Sequence, residues 1–267
     1  MQLISPLNVS TLRTAIRTAA PFPNVCIDGF LDEAFARQVA DAFPSYLEAC
    51  RVGKIFSAVN EKRKVQVTDA AMFPPSIVRL NQELASPQFL KLLSGLFAIP
   101  NLLADAELVG GGIHETGARG HLDVHVDFNY IEERKLFRRL NLLLYFNHGW
   151  REEWGGDLEL WDVAVKVRSH AFPPIFNRCV IFETSEISFH GVTAVTCPPE
   201  INRKSFATYY YTREPPPTWI GKNHSTIFRT RPDERLKRTL LMPAERMARG
   251  MAYALRRAKG ALRGLVR

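Results

Sequence analysis

Apolar residues recur at helical spacing in the first part of the chain and at strand spacing in the middle. After a short apolar run at Val25, Cys26 and Ile27, read as a strand, the Asp28-Gly29 pair supplies a turn. Phe35, Val39 and Phe43 then recur every four residues, which predicts an amphipathic helix with Asp32 as its N-cap. Two further stripes, Ile77/Leu80/Leu84 and Phe89/Leu92/Leu93/Leu96, predict a pair of helices between Pro74 and Leu103. The Ser86-Pro87 step parts them, because a residue before proline is biased out of the helical region. From Glu107 to Thr212 the period shortens. Strand-like runs stand at 121–128, 140–146, 157–161, 179–182 and 205–211, with turn chemistry at Gly155-Gly156, Pro173-Pro174 and Pro198-Pro199. Short strands at this spacing predict an antiparallel sandwich or barrel with the earlier helices packed on one face.

Composition adds three points. Hydrophobic residues make up 46% of the chain, enough for a core without staples, so a metal would be present for chemistry. The cysteines, Cys26, Cys50, Cys179 and Cys197, form no CxxC pair and read as free thiols of a reducing compartment. Arg13 and Arg17 interrupt the apolar N-terminus, and no run reaches the ~18 apolar residues of a membrane span. A cytoplasmic location is expected.

The charge is uneven. Of 35 Lys/Arg and 27 Asp/Glu, 11 and 3 lie from Arg231 onward, which accounts for the whole net charge of +8. In the stretch 243–267, Met247, Met251, Leu255, Leu262 and Leu265 form an apolar stripe among arginines, an amphipathic basic helix. The chain is therefore divided into a domain at 1–215 and a basic tail at 216–267. The tail suits an anionic membrane surface, touched peripherally, or an acidic partner. A solvated helix folded back on the domain is the plainer reading. Without interleaved aromatic residues, nucleic acid is not expected.

Candidate chemistry centres on His125-Val126-Asp127. Residues two apart on a strand point to one side, so an imidazole and a carboxylate project together. His121-Leu122-Asp123 is a second match, and spacing does not choose between them. A third ligand has to come from a distant strand, and His190 is the best placed candidate. Two histidines and one carboxylate leave open positions on a metal, the arrangement used for non-haem Fe(II) oxygen chemistry. A solvated polar strand face is the alternative. Further on, alternation sets Arg203, Ser205 and Ala207 on one face, where a guanidinium beside a hydroxyl and a small residue forms a pocket for a terminal carboxylate. The alternative is a surface arginine at a strand start.

The segments 120–129, 139–147, 154–160, 177–184, 190–192 and 203–211 together resemble the prolyl-hydroxylase-like branch of the 2-oxoglutarate/Fe(II) oxygenase superfamily. The resemblance implies a double-stranded β-helix (jelly roll) fold. It selects His125 and Asp127 over His121 and Asp123, and makes His190 the distal iron ligand. Arg203 becomes the partner of the 2-oxoglutarate C5 carboxylate, with Tyr145 and Ser205 as further donors. Leu143 and Val192 become apolar walls of the same pocket. The implied cofactors are Fe(II), 2-oxoglutarate and O₂, with ascorbate in support.

The implied reaction is hydroxylation of an unactivated C–H bond with release of succinate and CO₂. Its substrate would be a prolyl residue in a protein or, alternatively, a small molecule such as a natural product or amino acid. Asp127 favours hydroxylation, since related halogenases lack this carboxylate. A cupin-type metal protein without 2-oxoglutarate chemistry would leave Arg203 and Tyr145 without a role. Where the family usually carries an aromatic residue, this chain reads Ile113-His114-Glu115-Thr116, so His114 either fills that place or is a solvated histidine. Substrate choice is expected in loops 51–68 and 129–138. The cluster Lys62-Arg63-Lys64 in the first suggests an anionic substrate or partner, unless it is simply solvated.

Overall fold

The computed structural model describes residues 3–243, so the helix predicted beyond Pro243 lies outside the described residues. The chain begins with α1 (Val9–Thr18), β1 (Asn24–Asp28), α2 (Glu33–Ala42) and α3 (Tyr46–Val52). A hairpin follows, β2 (Lys54–Ser57) and β3 (Glu61–Val67), then α4 (Pro75–Leu84) and α5 (Pro87–Phe97). The rest is strand: β4 (Leu103–Ala104), β5 (Gly112–Val126), β6 (Tyr130–Ile131), β7 (Leu136–Tyr145), β8 (Leu158–Trp161) and β9 (Arg168–Phe172). Then come β10 (Arg178–Glu183), β11 (His190–Val192), β12 (Arg203–Thr212) and β13 (Ile227–Phe228).

Local chemistry sets the helix ends. Asp32 accepts the Phe35 amide at 3.1 Å and caps α2, as the sequence predicts. Ser86 caps α5 through the Phe89 amide at 3.2 Å, with Pro87 at the first helical position, where a missing N–H costs no bond. The seven residues of α3 are too few to show an apolar stripe in the sequence, but a reciprocal Ser45–Glu48 capping box opens the helix.

The 13 strands among the described residues belong to one antiparallel sheet whose main path runs β1-β10-β7-β12-β5-β11-β8-β9, with β2, β3, β4, β6 and β13 paired beside it. The sheet curls until it nearly closes. Strand β5 spans the turn of the barrel. Its first half pairs with β12, its second with β11 and β13, and β3 pairs with both from Ile113 to Leu122. This is the double-stranded β-helix expected from the sequence. On β7, Leu140, Leu142 and Leu144 point outward into a core shared with Phe35, Ile77, Leu80, Phe89 and Leu93 of the helices. Leu143 and Tyr145 point into the barrel. Both faces are buried, so β7 reads as an apolar run rather than an alternation.

Two segments differ from the sequence reading. The stretch 51–68 is not an open loop, because β3 pairs with β5 from Glu61 to Val67 and Lys64 pairs with Glu61 at 2.9 Å. The charged run at 61–64 hid the buried Val65 and Val67 that make it a strand. Beyond residue 215 the chain continues along the barrel: β13 pairs with β5, and Arg231 and Lys237 pair with buried carboxylates of the sheet. No helix among the described residues is long and apolar enough to cross a membrane.

Candidate metal centre and carboxylate pocket

The choice between the two His-x-Asp pairs is made by a β-bulge. Opposite β11, His190 pairs with His125 but Val192 pairs with Leu122, so β5 carries an extra residue between them. An extra residue reverses which side chains point inward. Leu122 and His125 therefore share the inner face, and Asp123 points outward. There it pairs with Lys237 and lies 3.7 Å from Arg231. His121 bonds the Val59 carbonyl at 3.1 Å. Neither belongs to the inner site, and the unbroken alternation assumed over 121–127 does not hold.

His125 and His190 are cross-strand neighbours with ring centroids 4.3 Å apart. Each places Nδ1 on the carbonyl two residues upstream, His125 on Asp123 at 2.8 Å and His190 on Ser188 at 2.9 Å. Nδ1 is thereby the protonated nitrogen, and the lone pair of Nε2 is left for a metal. Asp127 lies across from both, with Oδ1 at 3.5 Å from Nε2 of His125 and Oδ2 at 3.4 Å from Nε2 of His190. One ligand atom from each of the three falls within 4.8 Å of the others. Burial, then the neighbouring His125, pushes the His190 pKa down and keeps the ring neutral. Burial alone would raise the Asp127 carboxyl, but Arg138 above all, with the two imidazoles close by, holds it well below the usual range. The two imidazole Nε2 atoms and an ionised carboxylate converge as a divalent cation requires.

Sequence reasoning missed the residues that orient Asp127. Asn141 donates to its Oδ2 at 2.8 Å and Arg138 lies 3.0 Å from the same oxygen. Arg138 also donates to Asn141 at 2.9 Å and stacks 3.5 Å over the Tyr209 ring. Alternation from Tyr145 through Leu143 does reach Asn141. It fails at Arg138 because the pairing of β7 with β12 shifts between Tyr210 and Tyr211, leaving an extra residue at Arg139.

The second half of the site lies on β12 and β7. Register sets Ser205 against Tyr145 and Ala207 against Leu143, so Arg203, Ser205, Tyr145 and Leu143 share the inner face. Arg203 donates Nε to the Gly156 carbonyl at 2.6 Å and Nη1 to the Ser205 hydroxyl at 3.3 Å. Its guanidinium carbon sits 4.9 Å from the Tyr145 ring centroid. Gly156 has φ +74°, and a Cβ there would stand 3.0 Å from Arg203 Cδ, so the Gly155-Gly156 turn leaves room for the arginine.

Arg203 Nη2 and the Tyr145 hydroxyl are buried and have no hydrogen-bond partner in the protein. Buried donors are rarely left so, and two on facing residues fit a ligand carboxylate. Val192 is buried on β11 beside Leu158. His114 is buried too, opposite Ser205 on the inner face rather than in a loop, and bonds the Gly110 carbonyl at 3.1 Å. Burial, with Lys64 and Arg203 nearby, drives its pKa well down, so it is neutral.

A jelly roll with an inward His/Asp/His set beside a buried arginine and tyrosine suits the class of non-haem iron oxygenases that consume a 2-oxo acid. Residues 111–211 match the family model of the 2OG-Fe(II) oxygenase superfamily. Mouse prolyl 3-hydroxylase OGFOD1 is 33% identical over 91 residues, which is 31% of this chain and 16% of that protein. The chain thus matches only a small part of that relative's length. Among solved structures, a Pseudomonas putida prolyl-4-hydroxylase superposes with TM-score 0.54 at 17% identity, over 76% of this chain and 100% of that one. A Trichoplax adhaerens prolyl hydroxylase in complex with a hypoxia inducible factor peptide gives 0.51 at 17% identity, over 76% and 88%. The carbocyclase SnoK of nogalamycin biosynthesis gives 0.53 at 14% identity, over 78% and 87%. At these identities the likeness is one of fold.

Proposed function

We propose that the protein is an Fe(II)/2-oxoglutarate-dependent dioxygenase that hydroxylates an unactivated C–H bond of a prolyl residue in a protein. The observation that carries this reading is the pair of orphaned donors, Arg203 Nη2 and the Tyr145 hydroxyl, inside the barrel that also holds His125, Asp127 and His190. A metal protein without a dicarboxylate co-substrate has no use for them. Iron with 2-oxoglutarate and O₂ would supply the oxidation: one oxygen atom enters the C–H bond, and the other leaves in succinate as CO₂ is released.

Each residue then has a defined task. His125, Asp127 and His190 hold the metal, while Arg138 and Asn141 fix the carboxylate of Asp127. Arg203, Tyr145 and Ser205 bind the distal carboxylate of 2-oxoglutarate, and Leu143 and Val192 keep water from its methylenes. The prolyl substrate is supported by the 33% identity over 91 residues to a prolyl 3-hydroxylase. Succinate formation measured against prolyl peptides and against free amino acids and small natural products tests the assignment. Peptide-dependent succinate with a hydroxylated proline is the expected result. Turnover only with small molecules would shift the substrate class, and no 2-oxoglutarate consumption with any of them would count against the reaction.

A further inference from the structure

We propose that the face formed by the turn after β8 and the segment after β13 docks on an anionic membrane surface. The two segments meet at a pocket of about 510 Å³ whose lining includes Lys166, Arg229, Arg238 and Met242. They are tied directly, since Arg229 donates to the Val163 carbonyl at 3.0 Å. A residue or two along the chain from its lining residues stand Val163, Val167, Leu236, Leu240 and Leu241, 53%, 61%, 63%, 59% and 47% exposed. They are five of the twelve exposed large apolar residues among the described residues, gathered on two adjoining segments. Such a cluster marks an interaction surface rather than scattered exposure.

The charges select the partner. Lys166, Arg229, Arg235 and Arg238 lie on the same two segments. Of the acids there, Asp162 accepts the Lys166 and Val167 amides and subtracts one charge, while Glu234 pairs with Arg231 and Lys237. Asp233 is exposed and subtracts one charge. The helical turn carrying the leucines is fixed from beneath, because Arg231 lies 2.7 Å from buried Glu159 and Lys237 pairs with buried Asp123. The outward leucines and arginines are therefore presented in a set arrangement. The sequence continues with the same chemistry: residues 244–267 hold seven Lys/Arg, one Glu, and the apolar stripe from Met247 to Leu265.

Leucines and arginines side by side suit the boundary between headgroups and acyl chains, where apolar burial and attraction to anionic lipid act together. A nucleic acid would draw on the arginines but give the leucines no place, and the pocket's aromatic residue, Phe228, is packed on His125 at 5.4 Å rather than free to stack on a base.

Co-sedimentation of the full chain with vesicles decides the matter, using phosphatidylcholine alone and phosphatidylcholine containing about one quarter phosphatidylglycerol. Wild type is expected to bind the anionic vesicles at least about ten-fold more tightly than the neutral ones. A Leu236→Gln/Leu240→Gln/Leu241→Gln variant, and separately a Val163→Gln/Val167→Gln variant on the other segment, are each expected to lose most of that binding with melting temperatures unchanged. Lys166→Glu with Arg238→Glu should weaken it by about ten-fold. Equal binding of both vesicle types, retention by both apolar variants, or absence of vesicle binding at physiological salt would overturn the proposal. So would duplex DNA that binds the wild type more tightly than the anionic vesicles do.

Discussion

Arg203 spends two of its nitrogens on Gly156 and Ser205 and holds the third, with the Tyr145 hydroxyl, for something the protein does not supply. Arg203→Ala should therefore weaken 2-oxoglutarate binding roughly 10- to 100-fold, the worth of one or two charge-assisted hydrogen bonds. Calorimetric titration of the metal-loaded protein measures it, and an unchanged affinity would remove Arg203 from the pocket. Arg138 acts at one remove, through the carboxylate of Asp127. Arg138→Leu keeps much of the side-chain bulk but leaves the Asp127 carboxylate to Asn141 alone, so divalent-metal affinity should fall about 10- to 100-fold. Competition with a metal-binding dye would show it; full-strength binding would mean that Asn141 alone suffices. Residue identity made Arg203 legible in the sequence, where a guanidinium and a hydroxyl alternate on one strand. Arg138 was not, since nothing in its neighbourhood says that a basic residue on an apolar strand points inward.

At the scale of elements, two bulges explain what alternation could and could not predict. Along β12 the period of two runs unbroken past Arg203, Ser205 and Ala207, and the inner face follows directly. On β5 and β7 an extra residue shifts the register, at Asp123 and at Arg139, and a reading in strict alternation goes astray there. The first bulge frees Asp123 to anchor the C-terminal segment. Strand β5 has a second consequence, on its outer face. Glu115 lies opposite Val65 and Lys204, fully buried, with neither carboxylate oxygen hydrogen-bonded.

Burial pushes the Glu115 pKa up to about 8, against the lowering influence of Lys204. A folded-state pKa above the unfolded one gives a contribution fully present below the unfolded pKa, near 4.3, and lost as pH rises through the folded value. Glu115→Gln should accordingly raise stability at pH 8 to 9 by on the order of a few kcal/mol, with the gain shrinking toward pH 4. Thermal melts of both proteins across that range test it, and a gain that does not depend on pH would contradict the assignment.

For the whole molecule, the sequence conveyed the order of helices and strands because their apolar periods differ and their caps are standard. It did not convey where the barrel ends. The stretch after residue 215 is polar and proline-rich, with only Ile227-Phe228 as a strand signal, so it reads as a tail. In the fold it closes over the outer face, bringing Arg231 and Lys237 to Glu159 and Asp123. Removing everything beyond 215 would strip buried Asp123 of Lys237 and leave buried Glu159 with Arg168 alone, a loss of roughly 3–5 kcal/mol for a broken buried pair. Truncation after Pro243 should instead leave the melting temperature near wild type, so chemical denaturation of the two truncated chains distinguishes a tail from a part of the domain.

The central claim is that His125, Asp127 and His190 hold iron beside a pocket that seats 2-oxoglutarate. Anaerobic addition of Fe(II) and 2-oxoglutarate addresses it most directly. The wild type is predicted to develop a weak visible metal-to-ligand charge-transfer band, and the His125→Ala/Asp127→Ala double variant is predicted to show none. A wild type without the band, or a double variant that retains it, would contradict the assignment.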